Sequence, residues 1–283
     1  MDNIKRVEPR TLSGFMELLP QDQIKFNEML DKIKKTYELY GFLPQETPII
    51  ESSEVLLAKA GGETEKQIYS FKKGDKDLSL RFDLTVPLAK YVAEYYNDLT
   101  FPYRRYQVGK VFRGERAQKG RYREFYQCDI DIIGDGKLDI INDAEIPSII
   151  STTFKNLGFT NFIIKINNRK VLNGLFDELN ISEKMTDILI IIDKLEKIGM
   201  EAVKEELRKI DVKQENIEKI EEFLNISGTT DEKLDKLSKL GFKSEIFKEG
   251  LNELEEVVKY VRLFNVKEDN FMIDLTIARG LDY

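Results

Sequence analysis

Residues 113–123 form a basic loop, Arg-Gly-Glu-Arg-Ala-Gln-Lys-Gly-Arg-Tyr-Arg, in a chain whose net charge is −7. Five basic side chains against one acidic side chain give the loop a net charge of +4. Guanidinium groups bind phosphate oxygens with two parallel hydrogen bonds, and glycines let a ligand approach the backbone. The loop lacks the glycine patterns of P-loops and of dinucleotide-binding turns, so side chains rather than helix-terminal amides would bind a phosphate.

The segments on either side of this loop decide between a binding loop and a solvated hairpin tip. Residues 78–84, 104–113 and 124–133 alternate with period two, which predicts strands that each have one apolar and one polar face. A half-exposed sheet would also alternate, but solvated faces favour Lys, Glu and Thr, whereas this face offers Arg, Gln and Asp. We therefore predict a polyphosphate bound over the sheet, on the face formed by Ser79, Arg81, Asp83, Arg105, Gln107, Gly109, Arg113, Phe125, Gln127, Asp129 and Asp131.

Composition excludes several other chemistries. The chain contains no histidine and one cysteine, which excludes Ser-His-Asp and Cys-His catalysis, imidazole or cysteine-cluster metal sites and an intrachain disulfide. The N-terminus has no signal-peptide pattern, and no apolar run approaches the ~20 residues that a membrane span needs. We expect a cytoplasmic protein without membrane segments.

The elements that must position the polar face divide the chain unevenly. All seven prolines lie within the first 147 residues, and apolar residues repeat at helical spacing between Phe26 and Tyr40. Residues 171–250 carry 19 acidic and 13 basic side chains, a net charge of −6. We predict a mixed α/β domain over residues 1–168, a helical module over 169–250, and a return to the first domain over 251–283.

Several segments resemble the class II histidyl-tRNA synthetases. Residues 112–116 and 120–131 closely resemble motif 2 of that family, and residues 80–87 resemble the segment that precedes motif 2. Residues 278–283 resemble the start of the family's histidine-specific segment. Residues 14–20 are similar to its N-terminal entry, and the stretch around Pro48 is similar to motif 1. The resemblance covers residues 10–170 and 268–283, and the helical module lies where the family carries its insertion domain.

The resemblance implies a fold and an activity. The fold is of the α+β class: a class II synthetase antiparallel sheet flanked by helices, with an all-helical insertion module. The activity is that of a histidine–tRNA ligase, in which ATP with Mg²⁺ activates histidine to histidyl-adenylate before transfer to tRNA(His). The family forms homodimers through the motif 1 region. No tightly bound cofactor and no metal held by protein His or Cys are expected.

The resemblance also assigns roles by matching position. Arg113 would hold the α-phosphate and the histidine carboxylate, and Arg279 would be the second cation at the α-phosphate. Arg121 would reach the γ-phosphate, Glu115 would lie near the adenine, and Phe125 would stack on its ring. Asp83, Thr85 and Gln127 would receive the ammonium and carboxylate ends of histidine, and Asp131 would accept from the imidazole N–H.

Two of these positions also have structural interpretations. Thr85, two residues before Pro87, could cap a helix as well as bind ligand. Arg279 falls on the same alternation as Phe271 and Ile277, which requires either a bulged strand or an apolar face outside the core. Asp129 shares the polar face, and the resemblance assigns no role to it.

The end of the chain departs from the family pattern. It stops at Tyr283, inside the histidine-specific segment and before motif 3 and the anticodon-binding domain, so we expect a fragment that cannot complete adenylation alone. The acidic charge of the helical module puts its contact with tRNA in question. Two alternatives stay open: the synthetase-like regulatory subunit of ATP phosphoribosyltransferase, whose motif 2 is usually degraded, and a non-catalytic dimerising module.

Overall fold

The first part of the chain alternates helices with short extended segments and ends in two ten-residue strands. The computed structural model describes residues 7–58 and 62–277. In chain order the elements of this first part are α1 (Pro20–Leu39), β1 (Leu43–Pro44), β2 (Ile50–Ser52), α2 (Ser53–Leu57), α3 (Gly62–Gln67), β3 (Ser70–Lys73), β4 (Lys76–Leu80), α4 (Thr85–Glu94), β5 (Tyr103–Phe112) and β6 (Glu124–Ile133).

Strands β5 and β6 pair antiparallel over their full length. The register places Arg105 opposite Asp131, and Gly109 opposite Gln127. β1 joins the other edge of β5 in parallel, and β4 pairs antiparallel with both β2 and β3 in a second sheet. Because directly opposed residues point to the same side of a sheet, the polar lists of β5 and β6 share one face, as predicted.

The predicted strand over residues 78–84 is wrong beyond Leu80. The backbone N–H of Arg81 donates to Ile49 O (2.9 Å), while its carbonyl accepts from the N–H of Phe112 (2.9 Å), so residue 81 links the two sheets. Asp83 Oδ1 then accepts the backbone N–H of Val86 (3.0 Å), which caps the start of α4. Local capping by aspartate competes with strand pairing, and here it ends the strand.

From Asp139 onward the chain is helical apart from two short strands. Within residues 169–250, where we predicted a helical module, every element is a helix. In chain order the elements from Asp139 onward are α5 (Ile141–Leu157), β7 (Ile164–Ile166), α6 (Arg169–Glu178), α7 (Met185–Ile192), α8 (Leu195–Ile198), α9 (Met200–Lys209), α10 (Gln214–Leu224), α11 (Thr230–Lys239), α12 (Glu245–Leu263) and β8 (Phe271–Ile273).

One apolar core joins these helices to the β7–β8 pair. Leu254, Val258 and Val261 form the buried stripe of α12, and β7 pairs in parallel with β8 beside them. β8 ends at Ile273, and a turn at residues 275–276 interrupts the alternation that was predicted to continue toward Arg279. None of the helices within the described ranges is long and apolar enough to cross a lipid bilayer.

The compact units divide the chain differently from the predicted domains. The described residues up to Leu138 form one unit, and those from Asp139 onward form the other. α5 and β7, which we expected in the first domain, therefore pack with the helical module, and so do α12 and β8. The compact units are defined by contacts between residues, whereas the predicted domains were defined by function. The domains 1–168, 169–250 and 251–283 therefore stay a prediction.

A close approach between α6 and α12 gives a test of this packing. Gly174 lies so near α12 that an added Cβ would overlap the backbone of Phe247. At an open helical position, Gly→Ala stabilises by about 1 kcal/mol, whereas overpacking a core costs about 1–3 kcal/mol. We expect Gly174→Ala to lower the free energy of unfolding, measured by urea titration.

Asp177→Ala is the matched control, because Asp177 lies on the exposed side of the same helix. Its effect should stay within about 0.5 kcal/mol. A Gly174→Ala variant more stable than the wild type would contradict the close approach of the two helices.

Candidate functional site

The polar face of the β5–β6 pair is a layer of opposed side chains rather than a solvated surface. Asp129 lies opposite Gln107, and Asp131 lies opposite Arg105. Arg105 and Gln107 are fully buried, as are Arg81 and Asp83 at the end of β4. Fixed polar groups in a buried layer can bind a ligand without first releasing bulk water. This burial, which the sequence did not predict, distinguishes the face from a half-exposed sheet.

Arg113, just after β5, is held between two aromatic rings. Its guanidinium carbon lies 4.4 Å from the ring centre of Phe82 and 5.2 Å from that of Phe125. Its one hydrogen bond to the described residues runs from Nε to Phe82 O (3.2 Å). The rings and this bond fix the plane of the guanidinium, and its terminal nitrogens can donate to an anion. Phe125 therefore contacts Arg113, a contact that the sequence analysis did not predict.

Hydrogen bonds and an ion pair within the basic loop hold its conformation. Gln118 and Arg121 exchange backbone hydrogen bonds around Gly120, which has φ +80°. Arg123 Nε donates to Glu115 O (2.9 Å), and Arg121 Nη1 lies 3.3 Å from Glu115 Oε2. The Arg121 side chain is 64% exposed, so this ion pair is weak. Arg121 and Glu115 contact each other, and neither hydrogen-bonds to Arg113 within the described residues.

Asp83 and Thr85 line a cavity of about 740 Å³ at the start of α4. Burial raises the pKa of Asp83, and its hydrogen bond from Val86 and the charge of Arg113 oppose that rise. The N-cap position of α4 is Leu84, and Asp83 rather than Thr85 accepts a backbone N–H of the first turn, so the structural interpretation of Thr85 as the cap is wrong. Thr85 lines the same cavity together with Phe82.

A network that joins the buried Arg81 and Gln107 to the exposed Glu46 was missed by the sequence analysis. Arg81 Nη1 donates to Thr47 O (2.6 Å) and Glu46 Oε1 (3.0 Å), and its Nε donates to Lys110 O (2.7 Å). Gln107 Nε2 donates to the same Glu46 oxygen (2.9 Å). Arg81 crosses β5 where Gly109 has no side chain, since a Cβ there would lie 2.5 Å from Arg81 Nη2. No spacing in the sequence brings residues 46 and 47 to this place, because the contact is tertiary.

Two carboxylates and one buried guanidinium set the charge at the far end of the face. Burial, then the neighbouring Asp131, raise the pKa of Asp129 to about 6, and Arg105 opposes the rise. Burial also raises the pKa of Asp131, which Arg105 opposes from 2.9 Å. Like charges close together in a partly buried site ionise less readily than separate ones. Asp129 therefore loses its proton near pH 6, well above the range of an exposed aspartate.

The predicted site residues fall into three groups. Arg113, Phe125 and Asp83 lie around the Phe82 ring, and Gln127 and Asp131 follow along the same face of β6. Gln127 Oε1 is buried with no hydrogen-bond partner in the described part of the chain, which leaves it available to a ligand. Glu115 and Arg121 pair in the loop. Arg279 lies outside the described residues.

Known proteins of similar sequence show the family of this chain. The family model of histidyl-tRNA synthetases matches residues 14–283. The chain belongs to the histidyl-tRNA synthetase family. It is 61% identical to the histidine–tRNA ligase of Clostridium tetani over 98% of this chain and 63% of that protein. It is 49% identical to the ligase of Clostridium acetobutylicum, with 98% of this chain and 64% of that protein covered. The chain thus spans less than two thirds of these relatives.

Solved structures agree on the fold. The histidyl-tRNA synthetase of Nostoc sp. PCC 7120 matches with a TM-score of 0.88 and 45% identity, over 98% of this chain and 63% of that one. The α+β class II synthetase fold is therefore confirmed. A structure titled as an ATP phosphoribosyltransferase regulatory subunit/histidyl-tRNA synthetase, from Bacillus halodurans, matches with a TM-score of 0.81 at 21% identity. It covers 96% of this chain and 69% of that one, and it shows the fold alone.

The raised pKa of Asp129 predicts a pH-dependent stability. An unperturbed aspartate has a pKa of ~3.9, so between about pH 4 and 6 the folded state binds more protons than the unfolded state. The charge of Asp129 therefore lowers the free energy of unfolding as pH rises through this window. We expect Asp129→Asn to stabilise the chain at pH 7.5 by on the order of 2 kcal/mol, and less at pH 4.5.

Urea unfolding at both pH values measures this difference, with Asp75→Asn in the exposed β3–β4 turn as the control. The control should give equal shifts at both pH values. A stabilisation by Asp129→Asn that is the same at pH 4.5 and 7.5, or a destabilisation at pH 7.5, would show that the ionised form of Asp129 does not destabilise the folded chain.

Proposed function

We propose that this chain carries the catalytic site of a histidine–tRNA ligase, which activates histidine with ATP and transfers it to tRNA(His). The observation that carries the proposal is the Arg113 guanidinium, which lies over the Phe82 and Phe125 rings, beside a polar face that is buried along β5 and partly open along β6. That arrangement would place an anion site next to a site for an amino acid that carries N–H groups at both its α-ammonium and its side chain. The identity with two ligases over 98% of the chain supports the proposal.

The activation step needs charge stabilisation rather than a base. A histidine carboxylate oxygen attacks the α-phosphorus of ATP, the bond from that phosphorus to the bridging oxygen breaks, and pyrophosphate leaves with the electron pair. The α-carboxylate, with a pKa of ~3.5, is already ionised at neutral pH, so no proton has to be removed. Arg113 would hold the α-phosphate and the carboxylate together and offset the charge that develops on the phosphoryl oxygens.

The remaining residues would bind the two substrates. Asp83, Thr85 and Gln127 would receive the ammonium and carboxylate ends of histidine, and Asp131 would accept from its imidazole. Arg121 would leave its ion pair with Glu115 and bind the γ-phosphate, because breaking an exposed ion pair costs little free energy. Glu115 would then be released toward the adenine, and Phe125 would present its other ring face to the base. We assign Arg279 to the α-phosphate by its matching position.

Magnesium would enter with ATP. Across residues 7–58 and 62–277, no group of three or more His, Cys, Asp or Glu side chains is placed to hold a metal ion. Mg²⁺ usually keeps several water ligands and binds phosphate oxygens with one or two carboxylates, so the triphosphate and water would supply its ligands together with at most a pair of carboxylates. When bound, the ion adds positive charge along the triphosphate.

We also infer a cytoplasmic homodimer that binds tRNA(His). The segment around Pro48 corresponds to the family's motif 1, which would form the dimer contact. The helical module would lie toward the tRNA, although its net charge of −6 over residues 171–250, from 19 acidic and 13 basic side chains, limits its direct contact with phosphates. The regulatory-subunit alternative has only the fold likeness at 21% identity in its favour.

Loss of Arg113 should abolish most of the activation step. Removing a donor to a developing oxyanion costs about 10²–10³-fold in rate. We expect Arg113→Ala to lower histidine-dependent ATP–pyrophosphate exchange by about 10²-fold, measured in whichever product of the gene, this chain or a longer one, has exchange activity.

Arg208→Ala provides the control, because Arg208 is an exposed arginine on α9. It should change the exchange rate less than twofold. Equal rates for the Arg113→Ala and Arg208→Ala variants, or the absence of histidine-dependent exchange in every wild-type product, would contradict the proposal.

A further inference from the structure

Arg105 is a fully buried cation that the proposed chemistry does not use. Its side chain has 0% exposure, and it lies on β5 directly opposite Asp131. Nη2 is 2.9 Å from Asp131 Oδ2 and 3.5 Å from the carbonyl of Leu84. Nε and Nη1 are buried without a hydrogen-bond partner among the described residues.

Packing alone does not account for an arginine at this position. Burying unpartnered N–H groups costs free energy, and an apolar residue of similar volume often replaces a buried ion pair at equal or greater stability. A guanidinium stays protonated even in a buried site, so Arg105 is a permanent positive charge within the polar face. This positive charge favours the ionised form of the carboxylates that face it.

We propose that Arg105 is a positioning and specificity residue of the histidine site: it engages one oxygen of Asp131 and holds that carboxylate ionised, so that the other oxygen accepts an imidazole N–H. This inference rests on the proposed function, since it assigns the imidazole to Asp131. Arg105 acts through Asp131 and does not itself touch the substrate.

The geometry around Asp131 supports this assignment. The Asp131 side chain is 31% exposed while Arg105 is fully buried, so the ion pair has one buried side and one open side. An ionised carboxylate is an acceptor only, whereas a protonated one also donates. The site would therefore accept a ring N–H and reject side chains without a donor. A site built to hydrogen-bond a substrate group rejects analogues lacking it by about 10⁴-fold.

The negative charge of Asp129 opposes ionisation of Asp131, and the positive charge of Arg105 offsets this effect. Asp129 and Asp131 lie two residues apart on the same face of β6, and their negative charges repel each other. Without Arg105 the pair would retain a proton to higher pH, and Asp131 would share it. The titratable and charged groups facing this cluster are Asp83, Tyr91, Tyr103, Arg113, Asp129 and Asp131. Of these, Asp129 changes charge near pH 6, and burial raises the pKa of Asp83 and of Asp131.

The test measures histidine affinity across pH in the chain. Calorimetric titration of the wild type, Arg105→Met and Arg105→Lys from pH 6 to 8.5 gives the ratio of each variant's Kd to the wild-type Kd. The ratio cancels the titration of histidine itself. We expect Arg105→Met to weaken binding by about tenfold or more near pH 7.

The direction of the pH dependence follows from the aspartate pair. The ratio for Arg105→Met should fall as pH rises, by up to about tenfold per unit, because Asp131 regains its charge. The ratio for Arg105→Lys should stay within about threefold and independent of pH, because the neighbouring Asp131 carboxylate favours the charged form of a lysine at this position. A ratio for Arg105→Met that does not change with pH would overturn the inference.

A matched control lies next to Arg105 on the opposite face of β5. Arg104 stacks over Phe42 at 4.4 Å and donates to Tyr40 O (2.9 Å). Arg104→Met should lower the melting temperature and leave the histidine affinity and its pH profile unchanged. A pH-dependent ratio for Arg104→Met equal to that for Arg105→Met would overturn the inference.

A second comparison remains decisive if Arg105→Met does not fold. Arg105→Met combined with Asp131→Asn removes both members of the pair, which avoids an uncompensated buried charge. Its affinity for histidine, or for a sulfamoyl analogue of histidyl-adenylate, should equal that of Asp131→Asn alone. A further loss of tenfold would show that Arg105 acts through structure and not through Asp131.

The outcomes separate the two proposals. A wild-type chain that binds neither histidine nor the sulfamoyl analogue overturns the proposed site, and the role of Arg105 with it. A wild-type chain that binds histidine, with losses from Arg105→Met and Asp131→Asn that simply add, overturns the role of Arg105 alone.

Discussion

The antiparallel register of β5 and β6 is the constraint on which the candidate site depends. Continuous backbone pairing places Arg105 against Asp131 and Gly109 against Gln127, so polar groups from two strands meet on one face. A slip of one residue would turn one of these sets toward the other face of the sheet. The ladder extends to the ends of both strands, where Arg113 and Phe125 come together. The distance between the phosphate and amino-acid ends of the proposed site is therefore set by backbone geometry.

Buried charge is the second feature of this site. Arg81 and Arg105 are buried within the face, while Arg113 lies at its edge. Each is held differently: Arg81 by carbonyls and Glu46, Arg105 by Asp131, and Arg113 by two aromatic rings. Charges and dipoles that are already oriented need no reorganisation when a transition state forms. The same burial works against Asp129, whose raised pKa records an unfavourable charge. Active sites commonly keep such locally unfavourable groups.

The sequence predicted the strands, their polar face and the family, but not how the face is supported. Period-two alternation located β5 and β6 to within one residue because both are long and have two distinct faces. It failed after Leu80, because Asp83 caps α4 and ends the alternation. It also treated Arg81 as one more residue of the polar face, whereas that side chain crosses β5 over Gly109 to reach residues 46 and 47. The predicted roles of Glu115, Thr85 and Gln127 stay predictions.

Local pattern thus determined which residue types share a strand face, because alternation along a strand follows from the geometry of the backbone itself. It also determined the chemistry available, since a chain without histidine and with a loop of five basic side chains must handle anions by arginine and lysine. Only the tertiary structure decided which of the polar groups are buried, which cation faces which carboxylate, and which carboxylate bears an unfavourable charge. Those properties depend on desolvation and on distances between segments far apart in the chain, and neither quantity is encoded in the spacing of neighbouring residues.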